Sequence, residues 1–135
     1  MATILVVDDN AVVARVLARL LQQKGHHALV AGDGPSALQT VRERSPDLIL
    51  LDMMMPDMDG LEVLRRLKAD PDTSRPPVVL FSAVDDPKVV KSALNQGARE
   101  YWVKATFKFE DLPQRLARLL PPGDDSDADP RAGEN

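Results

Sequence analysis

The sequence predicts an α/β domain, a doubly wound parallel sheet of five strands carrying five helices. Five short apolar runs alternate with segments whose apolar residues recur at three and four positions, the pattern of buried strands alternating with amphipathic helices. Asp8, Asp9, Asp52, Ser82 and Lys104 stand at the carboxyl ends of four of these runs, where ligands collect in such sheets. At 135 residues the chain suits one such domain, and no internal period suggests repeats.

The strands are expected near 3–8, 27–31, 47–52, 78–82 and 99–104. Ile4-Leu5-Val6-Val7 and Leu48-Ile49-Leu50-Leu51 are continuous apolar runs, as strands covered on both faces require. The first helix, near 10–24, sets Val13, Val16, Leu17, Leu20 and Leu21 on one face and stops at Gly25. Its start is open to capping by Asp8 or Asp9. The second, near 35–44, opens at Gly34-Pro35-Ser36 and ends before Ser45-Pro46. The third, near 59–69, carries Leu61, Val63, Leu64 and Leu67, and the proline-bearing stretch after it reads as a surface loop. The fourth, near 87–96, starts at Pro87 and closes at Gly97; the fifth, near 110–120, stacks Leu112, Leu116, Leu119 and Leu120. Residues 1–120 form the folded domain, and 121–135, acidic and proline-bearing with nothing to bury, read as a disordered tail.

Composition narrows the function. With 44% hydrophobic and 28% charged residues the chain is an ordinary globular protein, and a formal charge of −4 argues against a nucleic-acid or anionic-membrane surface. It has no cysteine for a disulfide or thiolate metal site, and neither a signal segment nor a membrane-length run, so the cytoplasm is the expected compartment.

The acids and the lysine share a chemistry. Three crowded carboxylates repel, and a hard divalent cation bound through oxygen relieves them, helped by a nearby ammonium. Mg²⁺ suits this best: it takes few protein ligands, so Asp9, Asp52 and one backbone carbonyl suffice. A carboxylate beside Mg²⁺ and lysine can attack phosphorus, because both neutralise charge on the equatorial oxygens.

Val-Val-Asp8-Asp9, Leu-Leu-Asp52-Met-Met-Met55-Pro56-Asp-Met-Asp59-Gly60, Phe81-Ser82-Ala83 and Tyr101-Trp-Val-Lys104, in this order, resemble the receiver domain of two-component response regulators over roughly residues 2–120. The resemblance implies a flavodoxin-like sheet of order 2-1-3-4-5. It implies Asp52 as phosphoacceptor, receiving its phosphoryl group from a sensor histidine kinase or phosphotransfer protein. Asp9 would bind Mg²⁺ directly and Asp8 mainly through water, with Asp52 and the Met54 carbonyl completing the protein ligands. Lys104 would pair with the phosphoryl group and Ser82 hydrogen-bond to it, while small Ala83 leaves the site open. Tyr101 would be the switch aromatic that follows Ser82 and reshapes the face made by the fourth helix, fifth strand and fifth helix, where an unknown downstream protein binds. A monomer or a phosphorylation-dependent homodimer is expected. The protein would be no enzyme beyond its own phosphorylation and dephosphorylation, and with no output domain after Leu120 it is expected to stand alone.

Three positions and one stretch depart from the family pattern. Ala105 replaces the proline that usually follows the lysine, so a trans Lys104–Ala105 bond is expected, a cis bond to a non-proline residue costing about 2.5–4 kcal/mol. The stretch 105–109 is one residue longer than usual before the fifth helix. Met54 and Val84 are apolar where relatives place polar side chains near the hydrolytic water, which predicts slow self-dephosphorylation.

Other residues have plainer readings. Met53, Met54, Met55 and Met58 read as packing beside a core strand, His26-His27 as structural or solvated, Trp102 as core beneath the fifth helix, and Phe107 and Phe109 as lining that helix. Ser82 has no histidine to activate it as a nucleophile. A dehalogenase-like phosphatase would show Asp-x-Asp at its nucleophile, whereas Met53-Met54 follow Asp52; a flavodoxin would need a hydroxyl-rich phosphate loop where Asp8-Asp9-Asn10 stand. The remaining alternative is a phosphorylation-independent adaptor of the same fold.

Overall fold

The structure, a computed structural model, describes residues 2–121; the acidic stretch from residue 122 lies outside the described residues. The strands are β1 (Thr3–Val7), β2 (His27–Ala31), β3 (Leu48–Leu51), β4 (Val78–Ser82) and β5 (Glu100–Val103). The helices are α1 (Ala11–Gln23), α2 (Gly34–Arg44), α3 (Gly60–Ala69), α4 (Pro87–Asn95) and α5 (Leu112–Leu119), the last preceded by a 3₁₀ turn, Phe109–Asp111. All four strand pairings are parallel, in the order β2-β1-β3-β4-β5.

Alternation along the buried strands divides two cores. Ile4, Val6, Leu48, Leu50, Val79, Phe81 and Trp102 face α1 and α5, and meet Leu17, Leu21, Leu112 and Leu116. Leu5, Val7, Ile49, Leu51, Val78 and Leu80 face the other helices, and meet Val41, Val63, Leu64 and Leu67. Trp102 and the methionines at 53, 55 and 58 thus pack as expected. So does Phe107, which is only partly buried, whereas Phe109 is 42% exposed.

The chain corrects several expectations. The buried stripe of α1 is Ala14, Leu17, Ala18 and Leu21, and Val16 is 55% exposed. Alanines at 14 and 18 let the helix approach the sheet, which turns the valines outward. Asn10, not either aspartate, caps α1, accepting from the N–H groups of Val12 and Val13. Helix α5 starts two residues late, since the extra length before it winds into the 3₁₀ turn. No peptide bond among the described residues is cis, so Lys104–Ala105 is trans.

Candidate functional site

The site grows out of the strand ends. Asp8, Asp52 and Lys104 each stand one residue beyond their strand, held by a last ladder-like bond: Asp8 N–H to the Ala31 carbonyl at 3.1 Å, Asp52 N–H to that of Val7 at 3.0 Å, and Lys104 N–H to that of Ser82 at 2.8 Å. Ser82 closes β4 and is fully buried. A backbone fixed up to these residues leaves only their side chains to arrange.

Sheet order puts β1 and β3 side by side, and so gathers the acids. Carboxylate oxygens of Asp8, Asp9 and Asp52 lie within 4.8 Å of one another. Asp8 and Asp52 are buried, at 4% and 6% exposure, and Asp9 faces solvent. Lys104 answers them: its Nζ lies 2.8 Å from Asp8 Oδ2 and 3.7 Å from Asp52 Oδ2. The other Asp8 oxygen accepts the Asn10 N–H at 2.9 Å. Burial pushes the Asp52 carboxyl above its ordinary range; the Lys104 charge opposes this, Asp8 adds to it, and the Met54 N–H and Ser82 hydroxyl oppose it.

Met54 donates its N–H to Asp52 Oδ1 at 3.4 Å, and its side chain is 64% exposed beside the acid. Ser82 Oγ accepts the Val84 N–H at 3.2 Å. Tyr101 donates its hydroxyl to the Val84 carbonyl at 2.7 Å, and burial raises its pKa. Tyr101 is therefore tied to the chain segment that follows Ser82. The histidines stand away from this cluster: His26 Nδ1 accepts the Ala2 N–H at 3.3 Å, next to β2.

Two supporting features escaped the sequence reading. Gly60 opens α3 directly behind Asp52, its N–H bonded to the Met53 carbonyl at 2.9 Å, and a Cβ there would overlap the Asp52 carbonyl oxygen. Asp57, in the loop between, takes a left-handed φ of 70°. The Asp59-Gly60 pair was the available signal: Asp59 caps α3 by accepting the Glu62 N–H, and a glycine at the first helical position points to a close backbone approach.

The donor set suits a hard divalent cation. Three oxygen ligands, two buried and one open to water, lie close enough to share one ion, while among the described residues no histidine or cysteine joins the cluster.

Comparison with known proteins bears on this arrangement. The family model described as "Response regulator receiver domain" matches residues 4–117. The DNA-binding response regulator MtrA of Mycobacterium tuberculosis is 43% identical over 126 residues, 93% of this chain and 54% of that protein. A gliding motility regulatory protein of Myxococcus xanthus is 36% identical over 86% of this chain and 15% of its own length. The chain thus spans about half the length of the MtrA relatives it matches. Among solved structures, chemotaxis protein CheY4 of Vibrio cholerae superposes with a TM-score of 0.81 at 28% identity, covering 89% of this chain and 99% of that one. The receiver domain of the Francisella response regulator 1452 gives 0.80 at 29% identity, covering 88% and 96%.

Proposed function

The chain belongs to the response regulator receiver family of two-component signalling, and from that premise we propose that Asp52 accepts a phosphoryl group from a histidine kinase or phosphotransfer protein in a Mg²⁺-dependent reaction. The observation that supports this most is the meeting of Asp8, Asp9, Asp52 and Lys104 at one end of the sheet. Asp8 and Asp52 are both buried beside the lysine, but Asp8 also accepts the Asn10 amide, which leaves Asp52 as the acceptor.

In the transfer, one Asp52 oxygen attacks phosphorus and the P–N bond of the donor phosphohistidine breaks; its electron pair and a proton stay with the leaving imidazole. Asp8, Asp9, Asp52 and the Met54 carbonyl would hold Mg²⁺, which when bound neutralises charge on the phosphoryl oxygens. Lys104 moves its ammonium from Asp8 to the arriving group, a small displacement given its 3.7 Å approach to Asp52. The Met54 N–H holds one carboxylate oxygen and so directs the other to attack. Ser82 then turns its hydroxyl to the new oxygens and gives up the Val84 N–H it now accepts.

That exchange links chemistry to output. Val84 is bonded both to Ser82, through its N–H, and to Tyr101, through its carbonyl. A change at Ser82 therefore reaches Tyr101 through one residue, and from there the surface of α4, β5 and α5, where a downstream protein reads it. We place this exchange in the cytoplasm; among the described residues no helix is long and apolar enough to cross a membrane.

The test is intact mass after incubation with acetyl phosphate and Mg²⁺, against Asp52→Asn and a metal-free control. A Mg²⁺-dependent gain of one phosphoryl group, absent from Asp52→Asn, is expected. No gain, with a known receiver labelled in parallel, favours the phosphorylation-independent adaptor.

A further inference from the structure

Lys104 has a third neighbour besides its two carboxylates: its ammonium lies over the ring of Phe81, 5.6 Å from the centroid. The negative face of an aromatic ring attracts a cation within about 6 Å, more so where water is scarce, and Phe81 is 6% exposed. The ring is not free to turn away. Trp102, Phe107 and Phe109 all meet it in edge geometry, at 6.3, 5.3 and 6.1 Å between centroids and 80°, 73° and 83° between planes. Phe107 is in turn stacked on Trp102 at 4.9 Å and 22°.

The same cluster fixes the backbone after the lysine. The N–H groups of Thr106 and Phe107 both bond to the Val103 carbonyl, and Phe107 then reaches back into the aromatic group. Arg115 lies over Trp102 and Phe107, 5.5 and 5.3 Å from their centroids, which leaves the Phe81 face to Lys104. One ring thus touches the lysine head while its neighbours hold the turn that carries the lysine stem.

We propose that Phe81 is a positioning residue for Lys104, its ring face holding the ammonium between Asp8 and Asp52 and within reach of the phosphoryl group; this rests on the phosphoryl-transfer reading above. A ring face consumes no carboxylate lone pair, so the contact persists when Asp8 and Asp52 are otherwise engaged. Leucine at 81 would keep the core apolar and abolish the attraction.

Two measurements on the full chain test this. In the first, the Lys104 CεH₂ signal in proton–carbon spectra, identified by its loss in Lys104→Gln, is displaced upfield by the ring and returns to the position of exposed lysines in Phe81→Leu. In the second, the rate of labelling by acetyl phosphate with Mg²⁺ falls about two- to fivefold in Phe81→Leu, and the same change made on Lys104→Gln gives no further fall. An unshifted Lys104 signal in the wild type overturns the proposal without any need for Phe81→Leu to fold. Equal slowing in both backgrounds also overturns it, since the ring would then act on structure and not through the ammonium. If the wild type takes no phosphoryl group, the transfer reading fails by itself, and the Lys104 signal alone decides whether the ring holds the lysine.

Discussion

Replacing Gly60 by alanine should damage the site from behind. The added Cβ would overlap the Asp52 carbonyl oxygen and stand 2.8 Å from Met53 Cα and 3.1 Å from the Asp52 carbonyl carbon. All three are backbone atoms, so no side chain can yield. Overpacking of this kind costs about 1–3 kcal/mol, and the gain from replacing glycine inside a helix offsets up to about 1 kcal/mol, leaving a net loss centred on about 1.5 kcal/mol. That lowers the melting temperature by roughly 5 °C for a domain of this size. The strain is relieved by moving either α3 or the Asp52–Met53 peptide, and a shift of about 1 Å in a reacting group can cost a hundredfold in rate. Two other glycines set the scale. At Gly34 the Cβ meets only Met58, 2.7 Å from its Sδ, and at Gly32 it meets nothing within 4 Å. Urea denaturation followed by Trp102 fluorescence should rank stability as Gly32→Ala above Gly34→Ala above Gly60→Ala, with phosphoryl labelling lost only in the last. Gly60→Ala as stable and as readily labelled as Gly32→Ala would refute the reasoning.

Four further perturbations follow from named contacts. Glu62 accepts hydrogen bonds from Arg65 and Arg66, which hold its carboxyl down at about 2 against an ordinary 4.5; its contribution is whole above pH 4.5 and lost as pH falls toward 2, so Glu62→Gln should lower the urea midpoint at pH 7 and match the wild type near pH 2. Burial and Asp8 raise the Asp52 carboxyl despite Lys104; a raised acid destabilises the fold above its pKa, so Asp52→Asn without divalent cations should be more stable than the wild type at pH 7, and less stable would be the contrary result. Lys68 donates to the Ser74 and Pro76 carbonyls at 3.0 and 3.2 Å, and Lys68→Met, which strands both, should cost about 1–2 kcal/mol in thermal denaturation. A polar side chain at Met54, as in Met54→Asn, supplies one hydrogen bond to a hydrolytic water and should speed loss of the phosphoryl group about tenfold, read by mass against time.

The parts of the fold that were legible are those where burial leaves little choice. β1 and β3 lie inside the sheet with helices on both faces, so their runs had to be apolar throughout, and a charge could follow only where the strand left the core. That is why Asp8 and Asp52 could be placed to within one residue. Helix α1 was misjudged because hydrophobicity is a poor guide to facing where small residues set the approach: Ala14 and Ala18 are buried, while Val12 is 65% exposed. The α1 cap could not be assigned for a similar reason, since Asp8, Asp9 and Asn10 are all good caps and only tertiary contacts distribute them: Lys104 claims Asp8, and Asn10 is left to the helix. Nothing in sequence spacing could pair Phe81 with Lys104, because they lie on neighbouring strands and meet through register.

The same register explains why one lysine can serve two acids. Phe81 pairs with Trp102 and Ser82 with Val103, so Lys104 leaves the sheet one step beyond Ser82, three residues past the level of Val7, Leu51, Leu80 and Tyr101 at which β1 and β3 end. β5 is three strand spacings from β1, roughly 14 Å at about 4.8 Å each, yet the ammonium ends 2.8 Å from Asp8. The gap is closed from both sides, by the lysine stem and by the Asp8 side chain, whose second oxygen is held on the Asn10 amide. The residue that completes the site thus comes from the far edge of the sheet, and a flexible stem drawn across a ring face is what brings it there.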